Sequence, residues 1–290
     1  MPWRQITLTL SAADLERAEA LLRLAGAAAI TLADDGDDPV LEPPPGTIAV
    51  WPRVRLTALF EAAPNLNAVI ELVTATTEVD DITTSVIHDA DWRAGWEQSI
   101  VPIYVADTLT IVPADYELET PADTTVKLGM GLAFGTGRHP TTRLCLEWIA
   151  ENDVSGREVF DFGCGSGVLA LAALCRGARS AVATDNDEQA LIATRENARL
   201  NNQLDKIRVV PVHELGDDFR PDLTFANILA GTLVEHEKML AQLQRTGGDL
   251  IVSGVLPSQS DDVISAFRND YQDFTVKELD GWLLIGAKRI

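Results

Sequence analysis

Residues 159–170, Val-Phe-Asp-Phe-Gly-Cys-Gly-Ser-Gly-Val-Leu-Ala, lead an apolar strand through three glycines at alternate positions and into a helix. The next apolar run, Ser180 to Thr184, ends on Asp185. Strand, glycine turn, helix and second strand within this length form a parallel βαβ unit, whose second strand ends beside the glycine turn. Glycine there lets a ligand approach the backbone where a side chain would clash. An acid at the carboxyl end of the second strand can accept hydrogen bonds from both hydroxyls of a ribose. The unit predicts a nucleoside-containing cofactor lying across the ends of two strands.

Glycine spacing selects the cofactor. A dinucleotide fingerprint runs G-x-G-x-x-G, its last glycine allowing close helix–strand packing. Here the glycines are Gly163, Gly165 and Gly167, with Val168 at the fourth candidate position and Asp161 ahead of the loop. Val168 speaks against an NAD-dependent oxidoreductase. The pattern Asp-x-Gly-x-Gly-x-Gly resembles the first motif of the class I S-adenosylmethionine-dependent methyltransferases. S-adenosylmethionine has no pyrophosphate, so the helix N-terminus need not be bared for phosphate oxygens.

Composition narrows the rest. The 290 residues suit one large or two ordinary domains, and 46% hydrophobic with 23% charged residues is the balance of a folded, soluble chain. No stretch approaches the roughly 18 apolar residues of a membrane span. Met1-Pro2-Trp3-Arg4-Gln5 lacks a signal-peptide layout. The three cysteines, Cys145, Cys164 and Cys175, show no metal-ligand spacing, and an odd count argues against a disulfide framework. A cytoplasmic, metal-free protein is expected. The net charge of −21 repels nucleic-acid phosphates, disfavouring DNA or RNA, and would attract a basic protein.

The chain divides into three parts. Residues 1–88 read in the order β-α-β-β-α-β, a ferredoxin-like α+β domain, with a helical stripe at Leu15, Ala18, Leu21, Leu22 and Ala25. Residues 89–100 suit a linker helix with Trp92 and Trp96 on one face. Residues 101–290 form the main domain. From Thr142 onward helices and strands alternate as a parallel doubly wound sheet requires, and two strands around Asp280-Gly281 close it. The fold class expected is α/β, a seven-stranded Rossmann-like methyltransferase sheet with a small N-terminal ferredoxin-like domain.

Methyl transfer from a sulfonium is an in-line displacement that needs neither metal nor covalent nucleophile. The protein must position an unprotonated acceptor and exclude water. Asn227-Ile228-Leu229-Ala230, at the carboxyl end of a strand, is the acceptor candidate. Many methyltransferases that modify planar nitrogens carry Asn-Pro-Pro-Tyr here, whose ring stacks on the planar group. This chain keeps Asn227 without the ring, which favours an aliphatic amine such as a lysine side chain or an α-amino group. Phe134 to Thr142, Phe-Gly-Thr-Gly-Arg-His-Pro-Thr-Thr, is the lid candidate, with Thr142 opening a helix and its hydroxyl available to cap it. His139 could take a proton near its ordinary pKa of about 6.5. A lysine at about 10.4 can instead lose its proton to water before binding, so His139 is not assigned as a base.

Taken in order, Phe-Gly-Thr-Gly-x-His-Pro-Thr-Thr, Asp-Phe-Gly-Cys-Gly-Ser-Gly and Asn-Ile-Leu-Ala resemble the ribosomal protein L11 methyltransferase family, PrmA, over the whole chain. The resemblance implies S-adenosylmethionine as cofactor and L11 as a basic protein substrate gripped by the N-terminal domain. It implies multiple methylation of lysine ε-amino groups and an N-terminal α-amino group. Carried over by position, Thr142, Gly163, Asp185 and Asn227 contact the cofactor. Gly165 and Phe134 join them from the loop and the lid, and Asn227 is the catalytic candidate. Arg138 departs from the small or neutral residue common at that lid position. The alternatives are a relative acting on a glutamine amide or RNA base, and a non-catalytic S-adenosylmethionine-binding module.

Overall fold

The computed structural model describes residues 3–35, 51–61, 65–87, 101–116, 118, 124–129, 137–216 and 219–290. Contacts divide the chain into two units, Met1–Ser99 and Ile100–Ile290. The sequence-predicted linker helix, with Trp92 and Trp96, lies outside the described residues.

The first unit comprises β1 (Trp3–Ser11), α1 (Ala12–Leu24), β2 (Ala29–Asp34), β3 (Arg53–Phe60), α2 (Leu66–Thr74) and β4 (Val79–Ile87). Its strands lie in the order β2-β3-β1-β4, every neighbour antiparallel. This is the expected ferredoxin-like layout. Alternation in β1 and β3 puts Ile6, Leu8, Leu10, Val54, Leu56, Ala58 and Phe60 on one buried face. Leu15, Ala18 and Leu22 of α1 and Val69 and Val73 of α2 cover that face, giving the unit a core of its own.

The second unit begins with a small sheet of β5 (Ile103–Val105), β6 (Leu109–Pro113) and β7 (Thr125–Leu128). There follow α3 (Pro140–Glu151), β8 (Glu158–Phe162), α4 (Val168–Cys175), β9 (Ser180–Thr184), α5 (Glu188–Leu200) and β10 (Ile207–Val209). The remainder is β11 (Leu223–Asn227), α6 (Ala230–Leu243), β12 (Asp249–Val255), α7 (Ser260–Phe267), β13 (Tyr271–Leu279) and β14 (Trp282–Arg289). The elements from α3 onward build one seven-stranded sheet and its helices, in the strand order β10-β9-β8-β11-β12-β14-β13. Only β14 runs against the others.

Both faces of this sheet are covered, so its central strands read as continuous apolar runs. Val159, Phe225 and Ile251 pack on one side with α4, whose residues Val168 to Leu174 are all buried. Phe160, Phe162, Val252 and Ile285 pack on the other with Leu240 of α6 and Phe267 of α7. From β8 the chain moves outward through β9 to β10, then returns to β11 on β8's other side. That reversal opens a crevice at the carboxyl ends of β8 and β11, where doubly wound sheets bind ligands.

Candidate cofactor and acceptor site

The glycine loop fills the turn from β8 to α4. Gly163, Gly165 and Gly167 all have left-handed backbones, with φ of +77°, +53° and +77°. The Gly163 and Cys164 N–H groups donate to the Thr184 carbonyl at 2.9 and 3.0 Å, which locks the loop to the end of β9. Asp185 follows Thr184 directly. One of its oxygens accepts from Gly165 N at 2.9 Å and the other from Asp187 N at 3.0 Å. An ionised carboxylate offers about four lone-pair positions, so two remain for the paired hydroxyls of a ribose. The acid therefore fits a nucleoside cofactor.

The structure adds a reason for two of the glycines. A Cβ at Gly163 would overlap Cγ2 of Ile228, and one at Gly167 would lie 2.7 Å from Cγ2 of Thr194. At these two positions protein packing by itself demands the small residue. Thr194 also donates to the Gly165 carbonyl at 3.0 Å, and Asn197 Nδ2 to the Ser166 carbonyl at 2.9 Å. Asn197 Oδ1 accepts from Gly129 N at 2.7 Å. Asn201 exchanges hydrogen bonds with the backbone of Lys127 at 2.8 and 2.6 Å. Sequence reading missed these three braces. Helical spacing put positions 194, 197 and 201 on one face, but only the structure shows Thr194 and Asn197 buried there, with their partners on other elements.

Asn227 is the last residue of β11. Its Nδ2 donates to the Thr142 hydroxyl at 3.2 Å, which orients the amide and leaves Oδ1 as an acceptor. Thr142 does not open its helix as expected. His139 is the N-cap, its Nδ1 accepting from Thr141 N at 3.4 Å, and Pro140 takes the first helical position. Proline suits that place because its fixed φ is helical and it lacks an N–H that would go unpaired. Thr142 therefore lies within the first turn, buried, with its hydroxyl at Asn227. The His139 ring meets Trp282 edge-on with centroids 5.2 Å apart, and burial lowers its pKa.

Ile228 joins the two halves of the site. Its side chain lies over Gly163, and its carbonyl lies against Gly254. Gly254 has φ of +84° at the register break in β12 opposite β14. Leu229 is 45% exposed, so the motif presents an aliphatic side chain where a stacking ring would stand. Arg138 donates to the Val101 carbonyl at 2.6 Å. Phe134 lies outside the described residues. Among the described residues no group of three or more His, Cys, Asp or Glu is placed to hold a metal ion.

Seven strands in this order, with one antiparallel strand closing a parallel sheet and the glycine loop at its switch point, are the fold of the class I S-adenosylmethionine-dependent methyltransferases. Comparison with known proteins narrows the class: the family described as "Ribosomal protein L11 methyltransferase (PrmA)" matches residues 2–290. The chain belongs to that family and is a protein methyltransferase. A ribosomal protein L11 methyltransferase of Pseudomonas fluorescens is 41% identical over 293 residues, with 100% of both chains covered. Its counterpart in Pseudomonas syringae pv. tomato is 40% identical over 294 residues, again with 100% of both covered. The crystal structure of a ribosomal protein L11 methylase from Lactobacillus delbrueckii subsp. bulgaricus is 33% identical and superposes with a TM-score of 0.59, covering 65% of this chain and 98% of that one.

Proposed function

We propose that the enzyme methylates ribosomal protein L11 in the cytoplasm, on lysine ε-amino groups and the N-terminal α-amino group. The observation that supports this reading is the Asn227–Thr142 hydrogen bond, which engages the amide nitrogen and leaves the amide oxygen to accept from an amine. S-adenosylmethionine supplies the electrophilic methyl group and its own leaving group. Asp185 holds the ribose hydroxyls, the loop around Gly163 and Gly165 forms the floor, and Thr142 and Asn227 border the methionine end. Phe134 belongs to the segment proposed to cover it.

A lysine amine, with an ordinary pKa of about 10.4, reacts only after losing a proton to water. Asn227 Oδ1 then accepts one remaining N–H and turns the nitrogen lone pair toward the methyl carbon. Positioning of this kind supplies much of the acceleration in a displacement of two held reactants. No ring stacks at Leu229, which suits an aliphatic amine better than a planar amide or base.

Recognition is assigned to residues 1–88, joined through 89–100 to the catalytic residues 101–290. A net charge of −21 draws a basic ribosomal protein toward the enzyme at long range. The test is mass spectrometry of purified L11 before and after incubation with enzyme and S-adenosylmethionine. Methyl groups on lysine and the N-terminal amine are expected. Unchanged L11, or modification confined to a glutamine amide, overturns the reading.

A further inference from the structure

Asp161 is 1% exposed, one residue before the end of β8, and the proposed reaction makes no use of it. Its carboxyl accepts from Ala170 N at 3.1 Å in the first turn of α4. An ionised carboxylate out of water needs more than one such donor or a paired cation. Among the described residues, the ionisable groups acting on it are Asp185 beyond β9, Cys145 on α3 and Cys164 in the glycine loop. None of these is a cation. Burial raises the Asp161 pKa, the Ala170 N–H opposes the rise, and the Asp185 charge adds to it, leaving the group at about 7.

The strand order brings a cation to this place. β8 lies between β9, followed by Asp185, and β11, which ends at Asn227. In S-adenosylmethionine the sulfonium links the ribose to the methyl being transferred. With the ribose at Asp185 and the acceptor at Asn227, that sulfonium has to lie over the end of β8. We infer that Asp161 carries a proton in the cofactor-free enzyme and releases it to solvent when the sulfonium binds, so that this carboxyl distinguishes the cationic donor from its neutral thioether product. The inference rests on the cofactor placement proposed above.

The direction follows from linkage. A nearby cation favours the ionised carboxylate, so the donor complex binds fewer protons than the free enzyme. Affinity for S-adenosylmethionine should then rise with pH up to about 7, by as much as about tenfold per unit. S-adenosylhomocysteine shares the donor's α-ammonium and lacks only the charge on sulfur, so its affinity should rise less steeply over the same range. Product release is thereby favoured, because losing the positive charge lets the carboxyl take its proton back.

Titration calorimetry of the full-length enzyme in two buffers of different ionisation heat counts the protons. At pH 6, S-adenosylmethionine should release about one proton more than S-adenosylhomocysteine, and the difference should vanish by about pH 8. Asp161→Asn should abolish the difference and flatten the pH dependence of donor affinity. Equal proton counts for the two ligands in the wild-type enzyme overturn the inference without needing the variant, as does a difference that persists in folded Asp161→Asn. Failure of both ligands to bind would instead overturn the cofactor reading itself.

Discussion

Asn227 and Thr142 stand 85 positions apart in the chain and meet through one hydrogen bond of 3.2 Å, amide to hydroxyl. The contact ties the end of β11 to the first turn of α3. Because a threonine hydroxyl accepts from the amide nitrogen, the amide's oxygen is the atom left to meet a substrate amine.

Replacing Asn227 by alanine should therefore lower kcat by about tenfold or more, the equivalent of roughly 1.4 kcal/mol in the transition state. Cofactor affinity should fall by less. Thr142→Val keeps the shape and removes the acceptor, so the amide is freed to turn over and kcat should fall by a smaller factor. Steady-state kinetics with saturating L11, alongside calorimetry of cofactor binding, separates the two effects. Wild-type turnover in Asn227→Ala would make this residue a strand terminator alone.

Asp185→Ala should weaken S-adenosylmethionine binding by about 1.5–3 kcal/mol, the range for hydrogen bonds to a charged group. The acid also receives the N–H groups of Gly165 and Asp187, so the loop loses two anchors at once. Calorimetry on the folded variant decides, and unchanged affinity would remove Asp185 from the cofactor site.

Gly254 and Gly281 both have left-handed backbones, but a Cβ at Gly254 would overlap the Ile228 carbonyl while one at Gly281 would meet nothing. Alanine at either position should cost about 1–2 kcal/mol for the left-handed conformation alone. Only Gly254→Ala should also lower turnover, by shifting the turn that follows Asn227. Urea unfolding measures the first effect and kcat the second. Equal turnover in the two variants would show that the turn yields without disturbing the acceptor.

His139 caps α3 through Nδ1 as an acceptor, a role only the neutral ring can fill. Its folded pKa is lowered by burial, so the unfolded chain binds more protons between that value and about 6.5. Its contribution to stability is complete above about pH 6.5 and is lost as pH falls through the folded pKa. Thermal unfolding of the wild-type chain should therefore lose ground against His139→Asn on acidification, since asparagine caps without titrating. Parallel melting curves across that range would contradict the role.

A chain of residues 100–290 should bind S-adenosylmethionine and fail to methylate L11. The seven-stranded sheet and the ferredoxin-like unit bury separate apolar clusters, so each has the material to fold alone. Full activity of the shortened chain on L11 would move recognition out of residues 1–88.

Local grammar carried most of the architecture. Alternation in Trp3–Ser11 and Arg53–Phe60, the apolar run of Val159–Phe162 and the hairpin at Asp280-Gly281 each have a period or turn that a short window reveals. The start of α3 was misplaced because Thr142 has the chemistry of a cap, although Pro140 two residues earlier marks the first helical position. What stayed hidden depends on distant partners. Asn197 reaches both Ser166 and Gly129, and Ile228 lies on Gly163 and Gly254, contacts that exist only once the sheet has ordered its strands. Nothing local marks Gly254 in the sequence, because a bulge is defined by the register of its neighbour in β14.

Gly163 and Gly167 are held to their size by Ile228 and Thr194, contacts within the protein that precede any ligand. A descendant of this fold that had given up catalysis would still need both glycines to close its loop. Such a relative would carry the glycine signature intact while being free to vary Asp185 and Asn227. Among sequences of this fold the glycines therefore vouch for the shape, and the acid and the amide are the residues that separate working enzymes from silent copies.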